Sequence, residues 1–179
     1  MKFFEQSIKG LYLIESDIFK DERGVFRRSF CLDELKLEGI DFNVCQGNIS
    51  ENFSQYTMRG FHFQKEPSTE AKIITPITGS IHNVVIDLRK NSKTFLKWQA
   101  LEVSSVKRDS LMVPAGCANA FLTMDPNTII HYYMGDFFKT STYLGFRYND
   151  PFFNIPWPAN PVVISERDQN FADFKLDIL

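Results

Sequence analysis

Arg59 and His62 lie three residues apart in the run TMRGFHFQ (57–64). They pair a permanent cation with the side chain that most readily exchanges a proton near neutral pH. His62 is one of three histidines and sits between Phe61 and Phe63. It reads either as a hydrogen-bonded core residue or as a general base beside an anion clamp. Companions for the second reading exist along the chain. Lys72 could steady a developing oxyanion, Tyr132 could act as an acid, and the planar forks of Arg23 and Arg59 suit phosphate oxygens. Taken singly, each also has an ordinary role, with Lys72 solvated and Tyr132 filling the core. A metal is not expected. His62, His82 and His131 fall in separate segments with no H-x-H pair, and Cys31, Cys45 and Cys117 have no metal-ligand spacing.

Strands must position these groups. GLYLIES (10–16), GVFRRSF (24–30), TMRGFHFQ, AKIITPITG (71–79), SIHNVVIDLR (80–89), KWQALEVS (97–104), DSLMVPAG (109–116), NAFLTM (119–124) and NTIIHYYMGDFF (127–138) are rich in β-branched and aromatic residues. Turn chemistry such as TGS and DPN separates them, the rhythm of a β-sandwich or barrel. Helical character is confined to LDELKLEG (32–39) and ERDQNFADFKL (166–176), while the proline-rich DPFFNIPWPANP (150–161) reads as extended loop. Period-two alternation puts His62 with Gly60 and Gln64, opposite Phe61 and Phe63. It puts Ile81, Asn83, Val85 and Asp87 on one face, and Ile130, Tyr132 and Met134 opposite His131 and Tyr133.

No repeat or linker divides the 179 residues, which are expected to form one domain, 1–179. With 44% hydrophobic and 23% charged residues the composition is that of a globular protein. A net charge of −2 gives no field for nucleic acid, so an anionic ligand needs a local cluster of arginine or lysine. No run of membrane-spanning or signal-peptide length is present, and the cysteines read as reduced thiols. The expected location is the cytoplasm.

Collinear blocks supply a further pattern: GLYLIE, FKDERGVFRRSF, QGNIS, MRGFHFQ, AKIITPITGSIHNVVIDLRKNSKTFLKW, VPAGCANAF, YYMGDFF, GFRYNDPFFNIPWP and ISERDQ. In order and spacing they resemble the dTDP-4-dehydrorhamnose 3,5-epimerase family over nearly the whole chain. The resemblance implies an all-β, cupin-like jelly roll (a double-stranded β-helix barrel) with short peripheral helices. It implies a homodimer that exchanges N-terminal strand material, neither metal nor organic cofactor, and a nucleoside-diphosphate 4-keto-6-deoxyhexose as substrate. By the same resemblance His62 is the base oriented by Asp168, Lys72 lies at the keto oxygen, and Tyr132 is the acid on the opposite sugar face. Arg23 and Arg59 hold the diphosphate, and Phe19, Gln46 and Asn48 surround base and sugar.

The chain departs from the family pattern in places. Asn83 and Asn119 stand where an acid and a histidine are common, and Arg28 and Tyr143 where glutamate is common. Gln169 stands where a basic residue is common. Asn83, Asn119 and Arg28 are therefore candidate substrate-binding positions that bear on which sugar, which base, and how many carbons are inverted. The expected function is epimerisation at C3, C5 or both, through an enolate, in deoxysugar and surface polysaccharide biosynthesis. Single-carbon epimerisation or 3,4-ketoisomerisation of a non-dTDP sugar nucleotide, and a jelly roll that only binds a nucleotide sugar, are the alternatives.

Overall fold

The computed structural model describes residues 1–179. In chain order the elements are β1 (Lys2–Glu5), β2 (Tyr12–Glu15), β3 (Ile18–Asp21), β4 (Gly24–Arg27), α1 (Leu32–Leu37), β5 (Gln46–Asn52), β6 (Thr57–Gln64) and β7 (Lys72–Thr78). There follow β8 (Ser80–Asp87), β9 (Trp98–Ser104), β10 (Asp109–Val113), β11 (Cys117–Thr123), β12 (Thr128–Met134), β13 (Tyr143–Gly145), β14 (Val163–Ile164) and α2 (Glu166–Gln169), with a 3₁₀ turn at Leu176–Ile178. One sheet has the order β1-β2-β10-β7-β12-β5; the other runs β13-β6-β11-β8-β9, with β14 added beside β6. The two form a jelly roll. β3 and β4 make a hairpin that belongs to neither sheet.

Alternation explains the layers. Inward residues of both sheets, among them Ile74, Ile81, Val85, Leu111, Phe121 and Ile130, close one end of the space between them. Outward residues of the second sheet, including Phe61, Phe63, Val84 and Ile86, are covered by Phe146, Phe153 and Phe174 of the C-terminal segment. Outward residues of the first sheet, including Ile14, Ile73 and Met112, are covered by Leu35 of α1 with Ile40 and Phe42. Each fully buried side chain of this kind contributes about 1.5–3 kcal/mol. The segment 150–161 contains no strand or helix, as its prolines require. The expected C-terminal helix is shorter than the sequence suggests, because only Glu166–Gln169 is α-helical.

β6 has the bounds of the run TMRGFHFQ but not uniform alternation. Continued alternation would send Arg59 to the side of Phe61 and away from His62. Instead the pairing with β11 slips by one residue, with Asn119 opposite His62 but Phe121 opposite Arg59. The slip falls at Gly60, whose φ is +111° and where a Cβ would come within 2.7 Å of Ala120. Only glycine fits this bulge. Its effect is to turn Arg59 and His62 into the same cavity.

Candidate active site

The open end of the space between the sheets is a cavity of about 560 Å³. The second sheet supplies His62 and Arg59 from β6, Asn119 from β11 and Tyr143 from β13; the first supplies Gln46 from β5, Lys72 from β7 and Tyr132 from β12. Arg167 and Asp168 enter from α2. Parallel pairing of Ile164 in β14 with Met58 in β6 lays this short helix beside His62.

Asp168 accepts a hydrogen bond from His62 Nε2 at 2.8 Å and another from the Gly60 N–H at 3.1 Å. Its own N–H donates to Ser165 Oγ at 3.1 Å, which anchors the turn. Burial alone would push the Asp168 carboxyl up, but the bonds from His62 and Gly60 and the charge of Arg167 hold it below the ordinary range. An ionised carboxylate only accepts, so Nε2 carries the hydrogen and Nδ1 presents a lone pair. Burial pushes the His62 imidazolium down, against the pull of Asp168 and helped by Lys72 and Arg167. The ring is thus a neutral base at pH 7.

Across the cavity, burial pushes the Tyr132 phenol up despite Arg59, so it remains a proton donor. Lys72 Nζ lies 3.2 Å from Asn119 Oδ1 and 3.6 Å from Glu70 Oε1. Asn119 Nδ2 in turn lies 3.4 Å from Asn83 Oδ1, so the two asparagines touch. Asn83 itself is fully buried behind Asn119, and its Nδ2 has no partner. Both carboxylates of the cavity are engaged, Asp168 by His62 and Glu70 by Lys72, and neither Arg59 nor Arg167 is ion-paired. Two exposed guanidinium groups without a salt bridge therefore line the cavity, Arg59 donating to Asn52 Oδ1 at 2.8 Å. No three His, Cys, Asp or Glu side chains converge as a metal donor set.

Among the residues singled out in the sequence, His62, Lys72, Tyr132, Asp168, Arg59, Gln46 and Asn119 line the cavity. Asn48 stands just beyond it, accepting from Gln46 Nε2 at 2.9 Å. Phe19 and Arg23 lie on the exposed β3–β4 hairpin, Arg23 paired with Asp21, and Arg28 just after it pairs with Glu34. None of these three reaches this chain's own cavity. Sequence reasoning about the site did not select Arg167, Glu70 or Phe138, which do line it. Tyr143 was visible only as a departure from the family pattern. Arg167 had a local signal, its place next to Asp168. Phe138 had none, because its loop is held by Gln64, which accepts from the Lys139 N–H at 2.9 Å and donates to the Phe137 carbonyl at 3.1 Å.

A jelly roll with a carboxylate-held neutral histidine on one wall and a phenol on the other, beside an ammonium, is built to remove and return a proton next to a carbonyl. That is the equipment of an epimerase. The sequence matches the dTDP-4-dehydrorhamnose 3,5-epimerase family over residues 5–175, and the chain belongs to that family. The dTDP-4-dehydrorhamnose 3,5-epimerase of Methanothermobacter thermautotrophicus is 32% identical over 177 residues, covering 97% of this chain and 95% of the relative. The crystal structure of the Bacillus anthracis enzyme of the same name, with TDP and PPi bound, superposes with a TM-score of 0.93 at 33% identity, covering 97% of this chain and 99% of that one. ChmJ, a 3'-monoepimerase from Streptomyces bikiniensis in complex with dTDP-quinovose, superposes with a TM-score of 0.86 at 26% identity, covering 94% and 85%.

Proposed function

We propose that this epimerase inverts C3, C5 or both of a 4-keto-6-deoxyhexose carried on a nucleoside diphosphate, with dTDP the first base to test. The observation that carries the reading is the His62–Asp168 pair facing Tyr132 across the cavity. His62 Nδ1 removes the proton next to the C4 carbonyl, and Asp168 stabilises the imidazolium that forms. Lys72 stabilises the enolate oxygen. Tyr132 returns a proton to the opposite face, which inverts the carbon. Arg59 and Arg167 at the rim suit the diphosphate. Incubation with dTDP-, GDP- and CDP-linked 4-keto-6-deoxy sugars in deuterated water tests this. Deuterium should enter the sugar at C3, C5 or both, and its absence from all three would sink the reading.

A second reading, inversion of one carbon, is favoured by the neutral Asn119–Asn83 pair beside Lys72. Deuterium at both carbons would rule it out.

The chain is further proposed to work as a homodimer in the cytoplasm. The β3–β4 hairpin leaves Phe19 64% and Phe26 70% exposed, and β5 ends its sheet with an open edge. A second copy would cover both and bring Phe19 and Arg23 to its neighbour's cavity. Light scattering should give twice the 20.8 kDa chain mass. A monomer at micromolar concentration with full activity would refute the shared site.

A further inference from the structure

Asp168 holds His62 through Nε2, and two aromatic side chains pack against the same ring. The Tyr143 ring lies 5.3 Å from the imidazole at 43°, and Phe171 lies 6.1 Å away at 69°. Tyr143 is itself clamped, with the Arg167 guanidinium carbon 4.3 Å from its ring centroid and Phe138 5.0 Å away edge-on. The register places it there, because Gly145 pairs with His62 and Tyr143 with Gln64 in the neighbouring strand. Gly145 leaves room for Phe171, since a Cβ at 145 would come within 2.6 Å of that ring.

Tyr143 is a second phenol in the cavity, so a second acid is the obvious role. The geometry argues against it. Tyr143 stands on the same sheet as His62, and a donor on the base's own wall cannot reach the opposite face of the sugar. Burial also pushes its phenol well up, so it stays un-ionised.

We propose that Tyr143 is a positioning residue: its ring, with Arg167 stacked on it, walls one face of His62 and keeps Nδ1 turned to the cavity, while its hydroxyl moves no proton. The proposal rests on His62 being the base. The charged and titratable groups around that ring are Asp168 and Arg167 from α2, Lys72 from β7 and Tyr143 from β13. Removing the tyrosine ring frees the imidazole to rotate and admits water, and it is the relief of burial that raises its proton affinity.

The test compares Tyr143→Phe with Tyr143→Ala, and with Tyr143→Leu should the alanine variant not fold. Nitrogen-15 shifts of His62, assigned with His82→Gln and His131→Gln, are read alongside steady-state kinetics. Tyr143→Phe should keep the Nε2-protonated tautomer and a kcat within about twofold of the parent. Tyr143→Ala should mix tautomers, move the His62 titration upward, and lower kcat by about tenfold with KM within about threefold, the signature of lost alignment. A tenfold loss in Tyr143→Phe with an unchanged His62 spectrum would make the hydroxyl a direct participant and overturn the proposal. Unaltered His62 shifts in Tyr143→Ala or Tyr143→Leu would overturn it too. If the parent turns over none of the sugars, it is the substrate reading that fails, and the nitrogen shifts still decide the role of Tyr143.

Discussion

The second sheet carries two histidines bonded to carboxylates, and only one of these pairs lines the cavity. His62 on β6 bonds Asp168, and His82 on β8 bonds Glu102 through Nδ1. In the first pair the carboxylate side chain is 6% exposed and the histidine 22%; in the second the carboxylate is 53% exposed and the histidine 14%. The order is reversed. Asp168 is nearly buried and bonded to a ring that itself lines the cavity. Glu102 lies in solvent, while His82 sits on the outward face of its sheet under Trp157, 5.7 Å away, with its Nε2 buried and without a partner. A histidine beside a carboxylate becomes a base only when the carboxylate is buried and the other nitrogen is accessible.

Breaking the first pair should have the largest effect. His62→Asn removes the proposed base and should lower kcat by about 10²–10⁴-fold, the usual contribution of a positioned acid or base. Unchanged deuterium incorporation in that variant would end the assignment of the base.

Asp168→Asn should cost less in structure but change the pH profile. In the parent the His62 imidazolium is lowered, so the acid limb of kcat/KM should fall below the ordinary histidine value of about 6.5. Asp168 opposes that lowering, so its loss should move the limb to lower pH still while kcat falls. A limb that moved upward would show that Asp168 does not act on His62 as an anion. The same lowering has a sign for stability. The unfolded chain protonates this histidine first, so the His62 contribution is present above about pH 6.5 and is lost as pH falls below it.

The second pair supplies the smallest effect. His82→Gln or Glu102→Gln should leave kcat/KM within about twofold and change stability by about 1 kcal/mol, as for an ordinary hydrogen bond. Chemical denaturation and the deuterium assay check both. A large loss of activity would show that β8 transmits strain to Asn83 and the Lys72 subsite, and would blur the contrast between the pairs.

Much of the frame is legible in the residues. Alternation sorts β8 and β12 onto their true faces, and Ile130, Tyr132 and Met134 do line one cavity. The run TMRGFHFQ is a strand to the residue. Legibility stops where alternation breaks. Nothing in the spacing of Arg59 and His62 tells that Gly60 is a bulge, because the clash that excludes a side chain there comes from Asn119 and Ala120 of another strand. Likewise the hairpin carrying Phe19 and Arg23 has ordinary strand chemistry, and its position off both sheets follows from packing alone.

By itself the sequence determined nine of the strands, though not β1, β3, β5, β13 or β14, together with the chemical inventory and, through its collinear blocks, the family. Local propensity and side-chain type are written residue by residue. Only the tertiary structure decided which groups meet. His62 and Asp168 are 106 residues apart, Lys72 and Asn119 are 47 apart, and Tyr143 reaches His62 from an edge strand. Sheet pairing creates those contacts, and the same pairing leaves His82, a histidine with its own carboxylate, facing away from the chemistry.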